Sequence, residues 1–118
     1  MLIGCGASAT AVETPAAVPT EFAGATNPFG VESVAVGAEI FKANCELCHG
    51  PQGHGDGIAG QSLEPKPKNL ANLQAMVGDD FLFWRIHEGK PGTSMVAWKG
   101  ILTDEQIWQT VSFIRTLK

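Results

Sequence analysis

Several common features are missing from this sequence of 118 residues. It has no apolar run of about 18 residues or more, so no membrane-spanning helix is predicted. It has no stretch rich in lysine and arginine, and its formal net charge is −4, which together argue against a nucleic acid as partner. It has no tyrosine and only three cysteines, and an odd number of cysteines cannot form a closed disulfide framework.

The chain divides by composition into two segments. Residues 1–30 are mostly alanine, threonine, proline and glycine, and Pro15, Pro19 and Pro28 interrupt any helical pattern. Such a segment buries too little apolar surface to offset the entropy that it loses on ordering. We therefore predict a flexible tether, disordered or only loosely packed, over residues 1–30, and a folded domain over residues 31–118.

The start of this tether, Leu2-Ile3-Gly4-Cys5, resembles the bacterial lipobox, where a cysteine is diacylated and the signal peptide is removed. The residues before Cys5 are too few to be a signal peptide, and a free cysteine at a frayed terminus is the alternative. We predict that Cys5 is lipidated, because an anchor needs a linker of the kind that follows it. A flexible linker of about 25 residues reaches roughly 25–30 Å on average and about 80 Å when extended.

From residue 31 onward the pattern is helical, and no segment alternates in the way that a strand does. Val34, Gly37, Phe41 and Cys45 recur at helical spacing and predict a first helix that ends at a cysteine. We therefore predict an all-α domain of about four to five short helices.

Capping signals define three of the later helices. Asn69 is predicted to cap a short helix, and Asp79 to cap a longer one over residues 80–88. That helix is apolar nearly all round, as expected when both sides are buried. Thr103 and Gln106 have the spacing of a capping box at the start of the last helix.

The strongest chemical signal is the motif Cys45-Glu46-Leu47-Cys48-His49. Residues three apart on a helical turn share a face, so both thiols can add to vinyl groups along one porphyrin edge. His49 follows at once and can offer a ring nitrogen to iron. The Cys-x-x-Cys-His pattern is typical of c-type haem attachment. We predict one covalent haem c with His49 as an axial ligand.

Three other interpretations of the motif remain. A thioredoxin-like redox pair needs a βαβ context, which this pattern lacks. A zinc site needs a fourth ligand, and His54 and His87 are the only other histidines. A disulfide between Cys45 and Cys48 would leave His49 unexplained.

The region 34–118 resembles the class I cytochromes c, in particular the small monohaem domains of bacterial respiratory complexes. The resemblance implies the class I cytochrome c fold, with short helices packed around one covalent haem. It rests on Gly37-Ala38-Glu39-Ile40-Phe41, Cys45-Glu46-Leu47-Cys48-His49-Gly50, Gly53-His54-Gly55-Asp56-Gly57, Pro65-Lys66-Pro67, Gly92-Thr93-Ser94-Met95 and the helix from Thr103 to Leu117.

The resemblance implies that Met95, in the loop before the last helix, is the second axial ligand. The sequence agrees, because a Gly/Pro loop lets the backbone bring a thioether to iron without helical constraint, and a Met/His pair is the cytochrome c arrangement. Met76 continues an apolar helical face and is predicted to fill the core. His54 and His87 remain alternatives as sixth ligand.

The resemblance also implies a supporting shell. A proline carbonyl of Pro65-Lys66-Pro67, with Pro67 favoured, accepts the His49 ring N–H and sets its tautomer. Gly37 lets the first and last helices cross closely, with Phe41 and Phe113 at the crossing.

Two departures from the family pattern stand out, and three further residues have two possible roles. Val96 replaces a common proline after the methionine, which predicts a less stiff loop. Phe113 stands where the family often has tyrosine. Arg85, Trp84 and Trp98 are each placed either to reach the haem propionates or to lie in the core or at an exposed edge.

Filled axial positions leave no site for a substrate, so the chain is predicted to be a single-electron carrier with a positive potential rather than an enzyme. We predict a lipid-anchored carrier, or a haem subunit of a quinol-oxidising complex, on the outer (periplasmic or extracellular) face of a bacterial cytoplasmic membrane. Its donor is then a quinol-oxidising complex, and its acceptor a terminal oxidase or another redox protein. The alternatives are a haem enzyme or gas sensor with a displaceable sixth ligand, and a non-haem interaction module.

Overall fold

The computed structural model describes residues 14–118. Within them lie five α-helices: α1 (Val34–Asn44), α2 (Glu46–His49), α3 (Leu70–Gln74), α4 (Asp79–Glu88) and α5 (Asp104–Ile114). Short 3₁₀ turns lie at Val31–Ser33 and Ile58–Gly60, and the described residues form no strand. The predicted all-α architecture is confirmed. Over the same residues, no helix combines the length and the apolar character needed to cross a bilayer.

The first and last helices cross at Gly37. A Cβ at that position would overlap the carbonyl oxygen of Gln109 on α5, and it would lie 3.1 Å from the Cβ of Phe113. Beside the crossing, the rings of Phe41 and Phe113 lie with centroids 5.0 Å apart. The crossing predicted from Gly37, Phe41 and Phe113 is therefore confirmed, and it forms the centre of the core.

The face of α5 turned to this crossing is fully buried at Ile107, Thr110 and Val111. The helix begins with the predicted capping box. The Thr103 hydroxyl accepts the Gln106 backbone N–H at 3.1 Å, and the Gln106 side-chain oxygen accepts the Thr103 N–H at 2.9 Å. Two of the otherwise unpaired donors at the helix start are satisfied in this way.

The other two predicted caps have different outcomes. Asn69 caps α3, since its side-chain oxygen accepts the Asn72 N–H at 3.1 Å. Asp79 does not cap α4: the N-cap is Gly78, and Asp79 is the first helical residue. Its carboxylate lies 3.2 Å from Nε of Arg115 instead. The Asp79 side chain is therefore paired with the residue that follows the end of α5 and not with the start of its own helix.

The predicted tether is described only from residue 14, so Cys5 and the lipobox-like motif lie outside the described residues. The described part differs from a flexible tether, because Val18 and Phe22 pack against the core. The Asn27 amide donates to the Trp108 carbonyl and the Ser112 hydroxyl. The ring of Phe22 and the amide of Asn27 make these contacts as individual side chains. The average composition of residues 1–30, on which the prediction rests, does not indicate them. The domain boundary at residue 31 stays a prediction.

Candidate functional site

An open, mostly apolar cavity of about 800 Å³ occupies the side of the core formed by α1, α3, α4 and the loop before α5. Its size falls within the range of about 300–1,000 Å³ that is typical of ligand and cofactor pockets. The residues predicted to bind the cofactor and its iron all line it: Cys45, Cys48, His49, Pro67 and Met95. Residues 50 positions apart in sequence therefore meet at one site.

The turn between α1 and α2 presents the two cysteines. The Cys45 N–H donates to the Phe41 carbonyl at the end of α1, and the Cys48 and His49 amides both reach the Cys45 carbonyl, at 3.3 and 2.9 Å. Cys45 and Cys48 are free, half-buried thiols. The motif is therefore one hydrogen-bonded helical turn, and both of its cysteines line the cavity.

Burial raises the pKa of the Cys45 thiol to about 12, and the neighbouring Cys48 adds to the rise. A thioredoxin-like pair needs the opposite, because the thiolate is the reactive form and redox cysteines have lowered pKa values. The described structure also places no three His, Cys, Asp or Glu side chains together as a metal-binding group. The redox-pair and zinc interpretations of the motif are therefore not supported by this geometry.

The imidazole of His49 is held in one orientation. Its Nδ1 lies 3.1 Å from the carbonyl oxygen of Lys68. A carbonyl can only accept, so Nδ1 carries the proton and Nε2 keeps its lone pair for a metal. Burial lowers the pKa of His49, and the hydrogen bond to Lys68 opposes part of that shift. The neutral ring that a metal requires is thus the favoured form.

The accepting carbonyl belongs to Lys68, whereas the family resemblance favours the carbonyl of Pro67. The Pro67 carbonyl faces Gly55, where a Cβ would lie 2.7 Å from its oxygen. Two backbone hydrogen bonds set this register: Gly55 N–H to the His49 carbonyl at 2.8 Å, and Leu70 N–H to the Gly53 carbonyl at 2.6 Å. Pro67 still lines the cavity with its ring.

Met95 lies in a loop that is closed on itself. The Lys90 N–H donates to the Met95 carbonyl at 3.1 Å. The Thr93 hydroxyl donates to the Lys90 carbonyl at 2.7 Å and accepts the Met95 N–H at 3.2 Å. The loop is therefore braced by hydrogen bonds on both sides of the methionine.

The same loop is fastened to the end of α4. Gly89 has φ +69°, and a Cβ there would lie 2.6 Å from the Ala97 nitrogen and 2.8 Å from the Met95 oxygen. The Trp98 N–H then donates to the Ile86 carbonyl at 3.0 Å. These hydrogen bonds brace the loop in which Val96 replaces the common proline, and the less stiff loop that Val96 predicts stays a prediction.

Met76 also lines the cavity, but it lies at the rim and is 52% exposed, in contrast to the predicted core position. Met95 is half-buried and packs against the core. His54 bonds the Lys118 carbonyl at 2.9 Å. His87 stacks on the Phe83 ring, and its Nδ1 lies 3.2 Å from Glu88. Both histidines have partners away from the cavity wall, which leaves Met95 as the better-placed sixth ligand.

The rim of the cavity is cationic, a feature that the sequence did not predict. Lys66, Lys68, Arg85 and Lys90 line it, and none of the described lining residues is Asp or Glu. The Cζ atom of Arg85 lies 4.1 Å from the centroid of the Trp84 ring. The guanidinium is therefore stacked on an aromatic ring at the cavity rim. Burial lowers the pKa of Arg85, but an arginine stays charged.

The donor set fits a covalently attached haem. Two thiols on one turn would supply the attachment points, a neutral imidazole nitrogen and a half-buried thioether would supply the axial ligands, and the walls are apolar. Cationic groups at the rim suit the propionate carboxylates. Trp98 also lines the cavity, so both Arg85 and Trp98 are within the site rather than in the core alone.

Comparisons with known proteins agree with this chemistry. Residues 32–114 match the family described as cytochrome C oxidase, cbb3-type, subunit III. Cytochrome c6 of Synechococcus elongatus is 32% identical over 81 residues, which cover 69% of this chain and 86% of that protein. Cytochrome c6 of Thermosynechococcus vestitus is 30% identical over 81 residues, covering 69% and 67%.

Two solved structures are similar in fold as well as in sequence. A chain of the Kuenenia stuttgartiensis reducing HAO-like protein complex superposes with a TM-score of 0.63 at 32% identity, over 68% of this chain and 40% of that one. A c-type cytochrome designated KustC0563 gives a TM-score of 0.56 at 28% identity, over 70% and 96%. This chain spans less than half of the first and nearly all of the second.

Proposed function

The chain belongs to the c-type cytochromes, in the family of cbb3-type cytochrome c oxidase subunit III, and we propose that it carries single electrons through a haem c with His49 and Met95 as axial ligands. The haem is bound through Cys45 and Cys48. The observation that carries this proposal is that all four side chains line one apolar cavity.

When bound, the haem supplies reversible one-electron exchange at iron. The residues of the chain set how easily that exchange occurs. The Lys68 carbonyl fixes the His49 tautomer and raises the basicity of its free nitrogen. The thioether of Met95 favours the reduced state, and apolar walls disfavour added charge, so both raise the potential. The braced loop would hold the Met95 thioether in place as a ligand, which favours electron transfer over substrate binding.

The cationic rim suggests the kind of partner. The whole chain carries a formal charge of −4, yet the residues around the cavity mouth are of the opposite sign. Charge complementarity speeds encounter and orients the two molecules. The proposed donor, a quinol-oxidising complex, and the proposed acceptor, such as a terminal oxidase, would then present an acidic surface to this rim. Their reaction rates with this chain should fall as salt screens the attraction.

A lipid anchor on Cys5 would hold this rim near a membrane. Residues 14–30 lie against the domain, so only about eight residues remain between Cys5 and residue 14, and they span at most about 29 Å. That reach is well below the roughly 80 Å of a fully flexible tether. We place the domain at the outer face of a bacterial cytoplasmic membrane, as a carrier or as a fixed subunit of a larger complex, and not as an enzyme.

Visible spectra of the purified protein, oxidised and reduced, with and without carbon monoxide, test the proposal. We expect a c-type reduced spectrum, a weak red band from Met–Fe(III) ligation and no response to carbon monoxide. Loss of that band with ready carbon monoxide binding would instead indicate a displaceable sixth ligand, and hence a haem enzyme or gas sensor.

A further inference from the structure

The segment before the first helix reaches the cavity itself. Thr14, Pro15 and Ala16 line the same cavity as the two cysteines, His49 and Met95. Pro15 is half-buried there, whereas Thr14 and Ala16 are exposed. These residues precede the region that matches the family, which begins at residue 32. Part of the cavity wall therefore comes from outside the shared domain.

Asn27 fixes one end of this segment to α5. Its side-chain nitrogen donates to the Trp108 carbonyl at 3.1 Å and to the Ser112 hydroxyl at 2.8 Å. Its side-chain oxygen accepts the Phe29 N–H at 3.0 Å, so both ends of the amide have partners. The Ser33 hydroxyl also lies 2.8 Å from that of Ser112.

Phe22 fixes the middle of the segment to α4. Its ring centroid lies 5.5 Å from that of His87 and 6.2 Å from that of Phe83. The Gly24 N–H donates to the Asp80 carboxylate at 3.0 Å. The segment turns at residues 19–23, where the Pro19 carbonyl accepts the N–H groups of Phe22 and Ala23, each at 2.9 Å.

Helix α4 therefore contacts the cavity with one set of residues and the N-terminal segment with another. Phe81, Leu82, Arg85 and Ile86 line the cavity. Asp80, Phe83 and His87 hold the N-terminal segment. A segment fastened to one side of this helix can continue to the cavity on the other, where Thr14, Pro15 and Ala16 are found.

We propose that residues 14–30 form a strap that completes the haem cavity, with Phe22 and Asn27 as positioning residues that hold Thr14, Pro15 and Ala16 against the cofactor edge. The strap excludes water from that edge and raises the reduction potential, because water stabilises the more highly charged oxidised state. This inference rests on the proposed haem-binding function and adds to it a specific segment of this chain.

A charge placed at residue 15 reports whether the strap lies at the cofactor. In the full-length haem protein, we expect Pro15→Glu to shift the midpoint potential down and Pro15→Lys to shift it up, because a nearby charge stabilises or opposes the oxidised iron. The same pair at Val31, which is 88% exposed and does not line the cavity, is the control. At physiological salt, screening over roughly 8 Å should leave the Val31 pair close to the wild-type potential.

The anchors are tested in the same background. We expect Phe22→Ala and Asn27→Ala each to lower the potential, to speed oxidation by a small soluble oxidant, and to shrink the difference between Pro15→Glu and Pro15→Lys. Phe22→Leu keeps an apolar side chain at this position, so its potential, its oxidation rate and its Pro15 charge difference should stay close to the wild-type values. Val31→Ala is the matched control for a neutral truncation and should change none of these readouts.

Two results would overturn the strap. One is a Pro15 pair whose potentials differ no more than those of the Val31 pair. The other is a loss of thermal stability in Phe22→Ala and Asn27→Ala with wild-type potential and oxidation rate, which would make the segment only a structural brace. If either result is found with an intact c-type spectrum and Met–Fe(III) band, only the strap is contradicted and the proposed electron-transfer function is not. Ready carbon monoxide binding by the wild type would contradict that function itself.

Discussion

The ring nitrogen Nδ1 of His49 donates a hydrogen bond to the backbone carbonyl of Lys68 across 3.1 Å. This contact joins the cysteine motif to a loop 19 residues further along the chain. Gly55 packs against this segment: a Cβ there would lie 2.7 Å from the Pro67 carbonyl oxygen and 3.2 Å from that of Lys68. We therefore expect a glycine that does not line the cavity to influence the basicity of the proposed axial histidine.

We expect Gly55→Ala to displace the Pro67–Lys68 segment and weaken the His49 hydrogen bond. A less basic imidazole stabilises the oxidised iron less, so the midpoint potential should rise. The left-handed backbone at φ +80° adds a cost of about 1–2 kcal/mol for any residue with a Cβ. Redox titration and thermal unfolding of the haem protein measure the two effects.

Gly100→Ala is the matched control for Gly55→Ala. It has the same φ of +80°, but nothing lies within 4 Å of its added Cβ. It should lose similar stability from strain and keep the wild-type potential. Equal potentials in the two variants would show that the Pro67–Lys68 segment does not tune His49.

Met95 and Met76 both line the cavity and can be told apart by substitution. We expect Met95→Ala to lose the red Met–Fe(III) band, to bind carbon monoxide when reduced, and to have a lower potential, because the thioether stabilises ferrous iron. Met76→Ala removes a side chain that is 52% exposed and should keep the band and the potential. If the band survives in Met95→Ala and disappears in Met76→Ala, the ligand assignment is reversed.

The local parts of the site could be predicted from the sequence. Cys45, Cys48 and His49 are set by the spacing of one helical turn, and the Thr103 cap follows from the spacing of a capping box. The Gly37 crossing joins helices that are far apart in sequence, and its prediction came from the family resemblance. Met95 needed the family resemblance, because nothing in its own loop shows that the loop returns to the cysteines.

The parts that the sequence did not reveal depend on distant partners. The choice of Lys68 over Pro67 follows from the contact of the loop with Gly55, and the Asp79 carboxylate turns to Arg115, which lies 36 residues away. The packing of Phe22 on Phe83 joins residues 61 positions apart. The rim cations are scattered along the chain and form a patch only after folding. Composition and periodicity report neighbours in sequence, so neither detects such pairs.

The crossing at Gly37 should not tolerate a methyl group. We expect Gly37→Ala to destabilise the haem protein by about 1–3 kcal/mol, as overpacking of a close core contact does, because the added Cβ meets the Gln109 backbone and not a movable side chain. Val36→Ala, on the same helix at a site 48% exposed, should stay within about 0.5 kcal/mol of wild type. Chemical denaturation followed by far-UV circular dichroism gives both values, and equal midpoints would contradict the close crossing.

Removal of the cofactor should unfold most of the domain. Without the cofactor, the apolar walls of a cavity of about 800 Å³ lose their packing partner and face water. A whole domain is stabilised by only roughly 5–15 kcal/mol, so the loss of this contact should be decisive. We expect the Cys45→Ala/Cys48→Ala variant, purified without haem, to show weak helical circular dichroism and rapid hydrogen exchange along α3 and α4. The control is the wild-type protein with haem attached, and a near-native helical signal in the variant would mean that the α1–α5 crossing holds the fold without its cofactor.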